Sequence, residues 1–489
     1  MLGKANKQQN FFDEYLYANL IPKDHILVKI KEKIDFSFVE EETKDLYNSG
    51  FGRPAYPAEV MFRMLFLEFY YNLSDVEVSK QCQYNVLYRW FIGLKIEDQV
   101  PDDTSLVVFR KRLGEESFDR LFDRIVENAK KNGLLKERYK ILDATAIVAD
   151  VAIPNTVNLL RQGRRVILKD ISQRDPLESE RLETEYKCHE KLSQKPTKEE
   201  LLEEVENSRT FIKEVKGRYG EEVDNKVKAL ERILSPSNDG EKVVSFVDME
   251  ARHGRKSIKR MFSGYKAHIA EDESEIITSC DVLSGNRNEG HDLPNILQQE
   301  LDKGIKAEAV VADGLYDSGE NREKIHQEGM KAYIPFRHER KWMARFSYDQ
   351  ERDQVVCDKG KQSIGKFRNQ TGLFYYFSAR DCRRCPNFKR CVGKNQKRMG
   401  VWVSDNYKHK VIDDGTGRAE ALGLRKMIER KFGEAKKWHG MDRARYRGRQ
   451  RVKIQVLMTF LVINIKRIAR LMEEYPKISI LEPISLTPT

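Results

Sequence analysis

The character of the sequence changes at Tyr139, and this change constrains the fold more strongly than any other feature. Before it, apolar residues recur at helical spacing, as in the run that Pro57 opens and the run that Ser74 and Glu77 begin as a capping box. The largely apolar run from Tyr139 to Ala149 predicts a strand. Strands and helices then alternate to about residue 330. The sequence therefore predicts an α/β domain with a mixed sheet behind an all-helical N-terminal domain.

The helices predicted before Tyr139 are short and follow one another in series. One of them, Asp103–Leu113, ends in basic residues. Such a series is typical of a helix-turn-helix DNA module, and a plain helical bundle explains it nearly as well.

The chain has 489 residues, too many for one typical domain. Residues 170–235 carry 17 acidic and 13 basic side chains with apolar residues at helical spacing, which predicts a charged helical-hairpin insertion outside the core. Aromatic runs within 340–415 predict a β-rich insertion, and helices are predicted at 418–438 and 449–474. The predicted units are a helical DNA-binding domain at 1–135, a core divided into 136–169, 241–339 and 416–475, insertions at 170–240 and 340–415, and a tail at 476–489.

Positive charge is concentrated near the C-terminal end. The whole chain has a net charge of 88 − 77 = +11, but residues 380–470 hold 26 Lys and Arg against 8 Asp and Glu, a local +18 that leaves −7 for the rest. Such a segment predicts a polyanionic partner, most commonly nucleic acid; a solvated basic face explains it about equally well. The N-terminal residues lack the apolar stretch of a signal peptide, and no apolar run approaches the roughly 20 residues that span a bilayer. These features predict a cytoplasmic protein without a membrane partner.

Three acidic residues are candidates for metal-dependent chemistry. Asp143 lies inside the apolar strand, and Asp313 ends a second strand just before Gly314. Glu429 follows Arg425 by four residues and precedes Lys436 by seven, so these three share one helix face. Each acid also has an ordinary explanation: a hydrogen-bonded structural aspartate, a turn or cap aspartate, and one member of an i,i+4 ion pair.

Phosphodiester chemistry explains why such residues would be combined. Breaking the bond requires an activated water or 3′-hydroxyl and a stabilised leaving oxygen, and two Mg²⁺ ions about 3.5–4 Å apart provide both. Mg²⁺ prefers carboxylate, water and phosphate oxygens. Neighbouring arginines and lysines hold the phosphates and position DNA without reading its sequence.

Three segments carry a family resemblance: Ile141-Leu-Asp-Ala-Thr, Val310-Val-Ala-Asp-Gly-Leu-Tyr-Asp, and Arg425-x-x-Ile-Glu-Arg-x-Phe-Gly-x-x-Lys. Together they resemble the DDE transposases of bacterial insertion sequences, in particular the insertion-sequence family numbered 1182, over about Phe51 to Leu471. Related transposases place a tyrosine three residues before the arginine, where this chain has Leu422.

The resemblance implies an RNase H-like core, an all-helical N-terminal domain and a catalytic triad that binds two Mg²⁺ or Mn²⁺ ions. The triad that it implies is Asp143, Asp313 and Glu429. The phosphate-binding residues expected around it are Arg425, Lys436, Arg443, Arg445 and Arg447. The expected partners are double-stranded DNA, as terminal inverted repeats and target, and a second copy of the chain bound to that DNA at the nucleoid.

Two alternatives remain open from the sequence. One is a nuclease of the same fold that cuts DNA without rejoining it. The other is a catalytically inactive, sequence-specific DNA-binding protein, against which the acidic residues at all three matched positions argue.

The cysteines form a separate motif. Cys382-x2-Cys385-x5-Cys391, with Cys357 upstream, can supply four thiolates to one tetrahedral Zn²⁺; four independent reduced cysteines are the alternative. The remaining three, Cys82, Cys188 and Cys280, are expected to be small core residues.

Overall fold

The computed structural model describes residues 11–48, 54–188, 194–236, 240–257, 260–335, 345–349, 351–369, 372–392, 396–404 and 418–474. The first ten residues of the predicted N-terminal domain and the predicted tail at 476–489 lie outside the described residues.

The N-terminal region is helical, as predicted. Ser74 and Glu77 form the expected capping box at the start of the fifth helix. The helices are α1 (Phe11–Leu20), α2 (Ile26–Lys33), α3 (Phe38–Thr43), α4 (Ala58–Tyr70), α5 (Asp75–Tyr84), α6 (Val86–Ile92) and α7 (Asp103–Lys131).

Helix α7 is much longer than the short helix predicted from Asp103 to Leu113. It continues to Lys131 across a kink at Gly114, whose backbone has a φ of 64°. Beyond the kink, Phe118, Leu121 and Phe122 are buried at helical spacing. The prediction stopped too early because the glycine and basic residues resemble a helix end.

A mixed six-stranded sheet follows, in the order β2-β3-β1-β5-β6 with β4 also paired to β3. Strand β1 lies where the sequence predicted it, and further strands and helices follow it as expected up to about residue 330. The elements are β1 (Tyr139–Val148), β2 (Arg252–Ser257), β3 (Arg260–Asp272), β4 (Ile277–Ser284), α12 (Leu293–Asp302), β5 (Ala309–Val311), α13 (Gly319–Gln327) and β6 (Lys331–Tyr333).

Residues 156–234, between β1 and β2, form four helices rather than a hairpin of two: α8 (Thr156–Ser172), α9 (Pro176–Glu185), α10 (Lys198–Val215) and α11 (Glu221–Leu234). This second helical unit has an apolar core of its own. Inside it, the buried Glu204 carboxylate accepts from Arg161 at 2.6 Å and from Arg164 at 2.7 Å. The unit begins earlier than predicted because α8 supplies part of that core.

Residues 345–404 form a β-rich unit with two short sheets. Strands β7 (Phe346–Asp349) and β8 (Gln354–Cys357) pair as a hairpin, and a three-stranded sheet has the order β11-β10-β9. The strands of the three-stranded sheet are β9 (Gly365–Asn369), β10 (Gly372–Tyr376) and β11 (Gly400–Ser404). Two short helices lie between β10 and β11 in the chain: α14 (Ala379–Arg383) and α15 (Phe388–Cys391).

The last two helices are α16 (Arg418–His439) and α17 (Arg449–Glu474). Every residue of α17 from Ile454 to Ile465 is buried, on all sides of the helix. The reason is that α17 packs against N-terminal helices on one side and against β4 on the other. Asn464 joins it to the sheet by exchanging hydrogen bonds with the backbone of Ile277.

The N-terminal helices therefore share one apolar core with α16, α17 and one face of the sheet. Helices α12 and α13 cover the opposite face. None of the helices in the described ranges is long and apolar enough to cross a membrane.

Candidate active site

Asp143 and Asp313 are brought together by strand pairing. Strands β1 and β5 are parallel neighbours, and Ile141 pairs with Val311. Each aspartate stands two residues beyond that pair, so the two side chains start from equivalent positions on chains about 4.8 Å apart. Asp313 also caps a short 3₁₀ turn by accepting a hydrogen bond from the backbone N–H of Leu315 at 2.7 Å.

The environment of Asp143 disfavours its negative charge. Burial, together with the nearby carboxylates of Asp313 and Glu289, raises its pKa to about 6. The backbone N–H of Ala144, which donates to Asp143 at 2.8 Å, and the guanidinium of Arg425 oppose that rise. A bound cation would relieve the repulsion among these carboxylates.

Two further acidic residues were missed by the sequence analysis. Glu289 and Asp292 lie in one 3₁₀ turn after β4. The Glu289 carboxylate accepts from Lys266 at 2.5 Å, and Asp292 lies 3.1 Å from Nδ1 of the buried His268. Lys266 and His268 alternate along β3 beside β1. The signal available was the alternating Lys-x-His in a strand followed by a polar loop.

Tyr316 is fully buried next to these acidic residues. Its hydroxyl makes no hydrogen bond with any described residue. Burial raises the pKa of Tyr316 far above its ordinary value, and the negative charges of Asp143, Glu289 and Asp313 add to the effect. Tyr316 therefore remains a neutral phenol whose O–H is available as a donor beside the acidic residues.

Helix α16 runs alongside β1 in the same direction. Near its start, Glu420 lies 3.5 Å from Arg138, which precedes β1, and Arg425 Nη2 lies 4.0 Å from the carboxylate of Asp143. Beyond its end, the carbonyl of Asp442 accepts from the N–H of Val148 at 3.0 Å. Residues after Arg425 on this face therefore lie towards the carboxyl end of β1.

Glu429 lies one helical turn beyond Arg425 on that face. Its side chain is exposed, with no hydrogen bond or ion pair to the rest of the described chain. Glu434 is different: its carboxylate accepts from Lys466 at 2.5 Å and lies 3.9 Å from both Lys431 and His439. Burial opposes the shift, but the hydrogen bonds from His439 and Lys466 lower the pKa of Glu434 to about 2.

The predicted phosphate ligands fall into two groups. Lys436 is half-buried, and burial together with the positive charges of Lys256 and Arg260 lowers its pKa to about 8. Arg443 and Arg447 are exposed in the loop after α16, and Arg443 lies 3.0 Å from Asp150. This loop is fixed to the end of β1, because the carbonyl of Val148 accepts from the N–H of Ala444 at 2.7 Å.

Arg445 has a structural role that the sequence analysis did not anticipate. Its guanidinium donates to the buried Glu68 at 3.1 Å, to Asn72 at 2.6 Å and to the carbonyl of Leu73 at 3.0 Å. It also covers the ring of Phe69. We therefore assign Arg445 to the contact with the N-terminal helices and not to a phosphate contact.

The carboxylates suit a divalent cation with hard-ligand preferences. Asp143 and Asp313 offer oxygens from adjacent strands, and the raised pKa of Asp143 reflects negative charge that lacks compensation. Among the described residues, no group of three His, Cys, Asp or Glu side chains is assembled at metal-binding distance. Mg²⁺ is nevertheless commonly held by one or two carboxylates, with waters and substrate phosphates completing its shell.

Two protein-family models match parts of this chain. A model described as a transposase domain (DUF772) matches residues 16–112, and one described as a transposase DDE domain matches residues 356–469. The chain is a DDE transposase. Both matches are consistent with the resemblance to the insertion-sequence family numbered 1182. No solved structure matches the chain.

The two matched segments cover different parts of the transposase. The first holds the end of α1, then α2 to α6 and the start of α7, and the second holds the cysteine motif, α16 and most of α17. Glu429 lies inside the second segment, whereas Asp143 and Asp313 lie between the two. The strand geometry is thus a separate line of support for these two aspartates.

Proposed function

We propose that this transposase cuts DNA at the ends of a mobile element and joins the freed 3′ ends to target DNA, with Asp143, Asp313 and Glu429 as its metal-binding triad. The observation that carries the proposal is the equivalent placement of Asp143 and Asp313 on paired strands. Arg425 beside them and Glu429 one turn further along α16 support it.

Transposases of this type use divalent metal ions, and we infer Mg²⁺ or Mn²⁺ from the all-oxygen ligand set. Two such ions, when bound, activate the attacking oxygen and stabilise the leaving one. Asp143 and Asp313 would offer carboxylate oxygens from β1 and from the turn after β5. Glu429 would contribute its exposed carboxylate from α16.

The neighbouring side chains position the reacting phosphate. The Nε of Arg425 is buried and makes no hydrogen bond with any described residue, so it can donate to a phosphate oxygen. Lys436 stands close to Lys256 and Arg260, and an anion would relieve the repulsion among these cations. Arg443 and Arg447 extend the positive surface along the loop after α16.

We also propose that the sheet is an RNase H-like core into which the second helical unit and the β-rich unit are inserted. The strand order supports this assignment, as does the placement of Asp143 within β1 beside Asp313, which follows the neighbouring strand β5. The inferred partner is double-stranded DNA, bound as element ends and as target by a homodimer, because joining a mobile element involves two ends.

The proposal is tested by incubating the full-length protein with DNA carrying the element ends and with Mg²⁺, and mapping the cuts. Cleavage at the ends that requires the metal, followed by joining of a 3′-hydroxyl end to a second DNA, is the expected result. Cleavage without joining would favour a nuclease of the same fold. Binding without any metal-dependent cut would identify a DNA-binding protein only.

A further inference from the structure

Four of the seven cysteines lie in the β-rich unit. These four, Cys357, Cys382, Cys385 and Cys391, line one cavity of about 40 Å³, which has room for a single ion or water. The other three cysteines are buried in other parts of the fold.

Backbone turns present these sulfurs to the cavity. The N–H of Cys385 donates to the carbonyl of Cys382 at 3.1 Å, which closes a tight turn around the Cys-x2-Cys pair. A second tight turn follows β8, where the N–H of Gly360 donates to the carbonyl of Cys357 at 2.8 Å. Two cysteines separated by two residues across a turn are a typical half of a tetrahedral zinc site. Cys391, at the end of α15, brings a further sulfur from the opposite side.

The size of the surrounding core gives an independent reason for a metal. Among its described residues, the β-rich unit has a core cluster of only five buried apolar side chains, Val355, Tyr375, Phe377, Val401 and Val403, with Val392 buried beside the cavity. A core this small rarely holds a unit together unless a metal or a disulfide supplements it. The partly buried Cys357 and Cys382 pack directly against these side chains, so a bound ion would tie β8 to α14.

A cation lies next to the cavity. The guanidinium of Arg345 donates to Sγ of Cys391 and lies 3.6 Å from the carboxylate of Asp358. Four thiolates around Zn²⁺ carry a net charge of −2, and an arginine that hydrogen-bonds one sulfur offsets part of that charge.

We propose that Cys357, Cys382, Cys385 and Cys391 bind one structural Zn²⁺ that holds the β-rich unit together, independently of the cleavage chemistry. Within the described residues the sulfurs are not yet gathered at coordination distance. Binding would draw them inwards across the cavity, and each thiol would release its proton as its sulfur is ligated. Because all four ligands are protein side chains, this site would leave no open position for a substrate.

The test is the zinc content of the purified full-length protein, measured by elemental analysis together with a count of reactive thiols. One zinc per chain is expected, and Cys385→Ser should lose it. Cys385→His should retain zinc because imidazole is also a zinc ligand. The control Cys188→Ala, which changes a buried cysteine of the second helical unit, should keep the full zinc content.

Replacement of the zinc by Co²⁺ gives a second measurement, since thiolate ligands produce a strong absorption band in the near ultraviolet. Well-folded wild-type protein that contains no zinc would overturn the proposal. So would a disulfide among the four cysteines, or zinc retained at full content in both Cys382→Ser and Cys385→Ser.

Discussion

Asp143 and Asp313 occupy corresponding positions along two neighbouring parallel segments, each two residues beyond the pair formed by Ile141 of β1 and Val311 of β5, with Asp313 just past the end of β5. The two carboxylates are close enough that the charge of Asp313, together with burial, raises the pKa of Asp143. The arrangement costs stability in the metal-free protein. A bound cation would offset that cost, as the proposed metal site requires.

The first prediction concerns that cost. Asp143→Asn should stabilise the metal-free protein at pH 8, on the order of 1–2 kcal/mol, because it removes a buried charge whose pKa is raised to about 6. The sign follows from the raised pKa. The folded protein binds a proton that the unfolded chain has released between about pH 4 and 6, so stability falls as pH rises through this range.

Chemical denaturation with and without the substitution measures the effect. The stabilisation should shrink towards zero at pH 4.5, where wild-type Asp143 is already protonated. Asp150→Asn, which alters an exposed aspartate beyond the end of β1, is the matched control and should change little. A variant that is destabilised at pH 8 would contradict the unfavourable charge assigned to Asp143.

The second prediction concerns the metal itself. Mg²⁺ or Mn²⁺ should raise the melting temperature of the wild-type protein at pH 8, since a ligand that binds only the folded state stabilises it. The increase should disappear below about pH 6, where protons compete for Asp143. It should be absent from Asp313→Asn at every pH. An equal increase in that variant would place the ion elsewhere.

The third prediction distinguishes two arginines in the loop after α16: Arg447, which we expect to contact DNA, and Arg445, which contacts the N-terminal helices. Arg447→Ala should reduce the log–log salt slope of DNA binding by roughly 0.9, the contribution of one phosphate contact. Arg445→Ala should instead destabilise the fold by about 1.5–3 kcal/mol, because Glu68 loses a charged partner. Salt titrations of DNA binding measure the slope, and denaturation curves measure the stability of both variants. Arg209→Ala, which changes an exposed arginine, is the control. The opposite pattern would reverse the two assignments.

The fourth prediction concerns the second helical unit. Val148 and Arg252 both pair with Gly264, so the chain leaves and re-enters the sheet next to the same residue of β3. Replacing residues 154–246 with a short Gly/Ser linker should therefore preserve the remaining core. Replacing only 170–235 should expose Leu160 and Ile167 of α8, which lose their partners.

The solubility and the thermal unfolding of the two deletion variants test this prediction. The larger deletion should melt cooperatively near the wild-type temperature, and the smaller one should aggregate. Loss of folding in the larger deletion would show that the unit is part of the core.

Much of this architecture could be predicted from local sequence. The capping box at Ser74 and the apolar run from Tyr139 are short-range signals, and both appear where expected. Helix α7 was cut short because a glycine in a kink and a glycine at a helix end look alike in sequence. The burial of every residue from Ile454 to Ile465 in α17 depends on contacts with helices more than 300 residues earlier in the chain. The local sequence of α17 gives no indication of those contacts.

The site was predictable in part for the same reason. Asp313 comes directly after an apolar run, and in α/β sheets ligand sites are common at the carboxyl ends of strands. Glu289 and Tyr316 join the site only because a 3₁₀ turn after β4 is folded against the end of β5. Arg445 looked like its neighbours Arg443 and Arg447 in sequence, but only Arg445 faces the buried Glu68.

The most direct measurement compares cleavage of element-end DNA in Mg²⁺ by Glu429→Gln and by Glu434→Gln. Both residues lie on α16, but Glu434 is bound by Lys466 and close to His439, whereas Glu429 is exposed one turn beyond Arg425. Glu429→Gln should bind the DNA with wild-type affinity and fail to cut it, because the phosphate contacts remain and a metal ligand is lost. Asp143→Asn and Asp313→Asn should behave in the same way. Glu434→Gln should cut at a rate near wild type, with only its thermal stability reduced. Cleavage that survives in Glu429→Gln and is lost in a folded Glu434→Gln would contradict the triad.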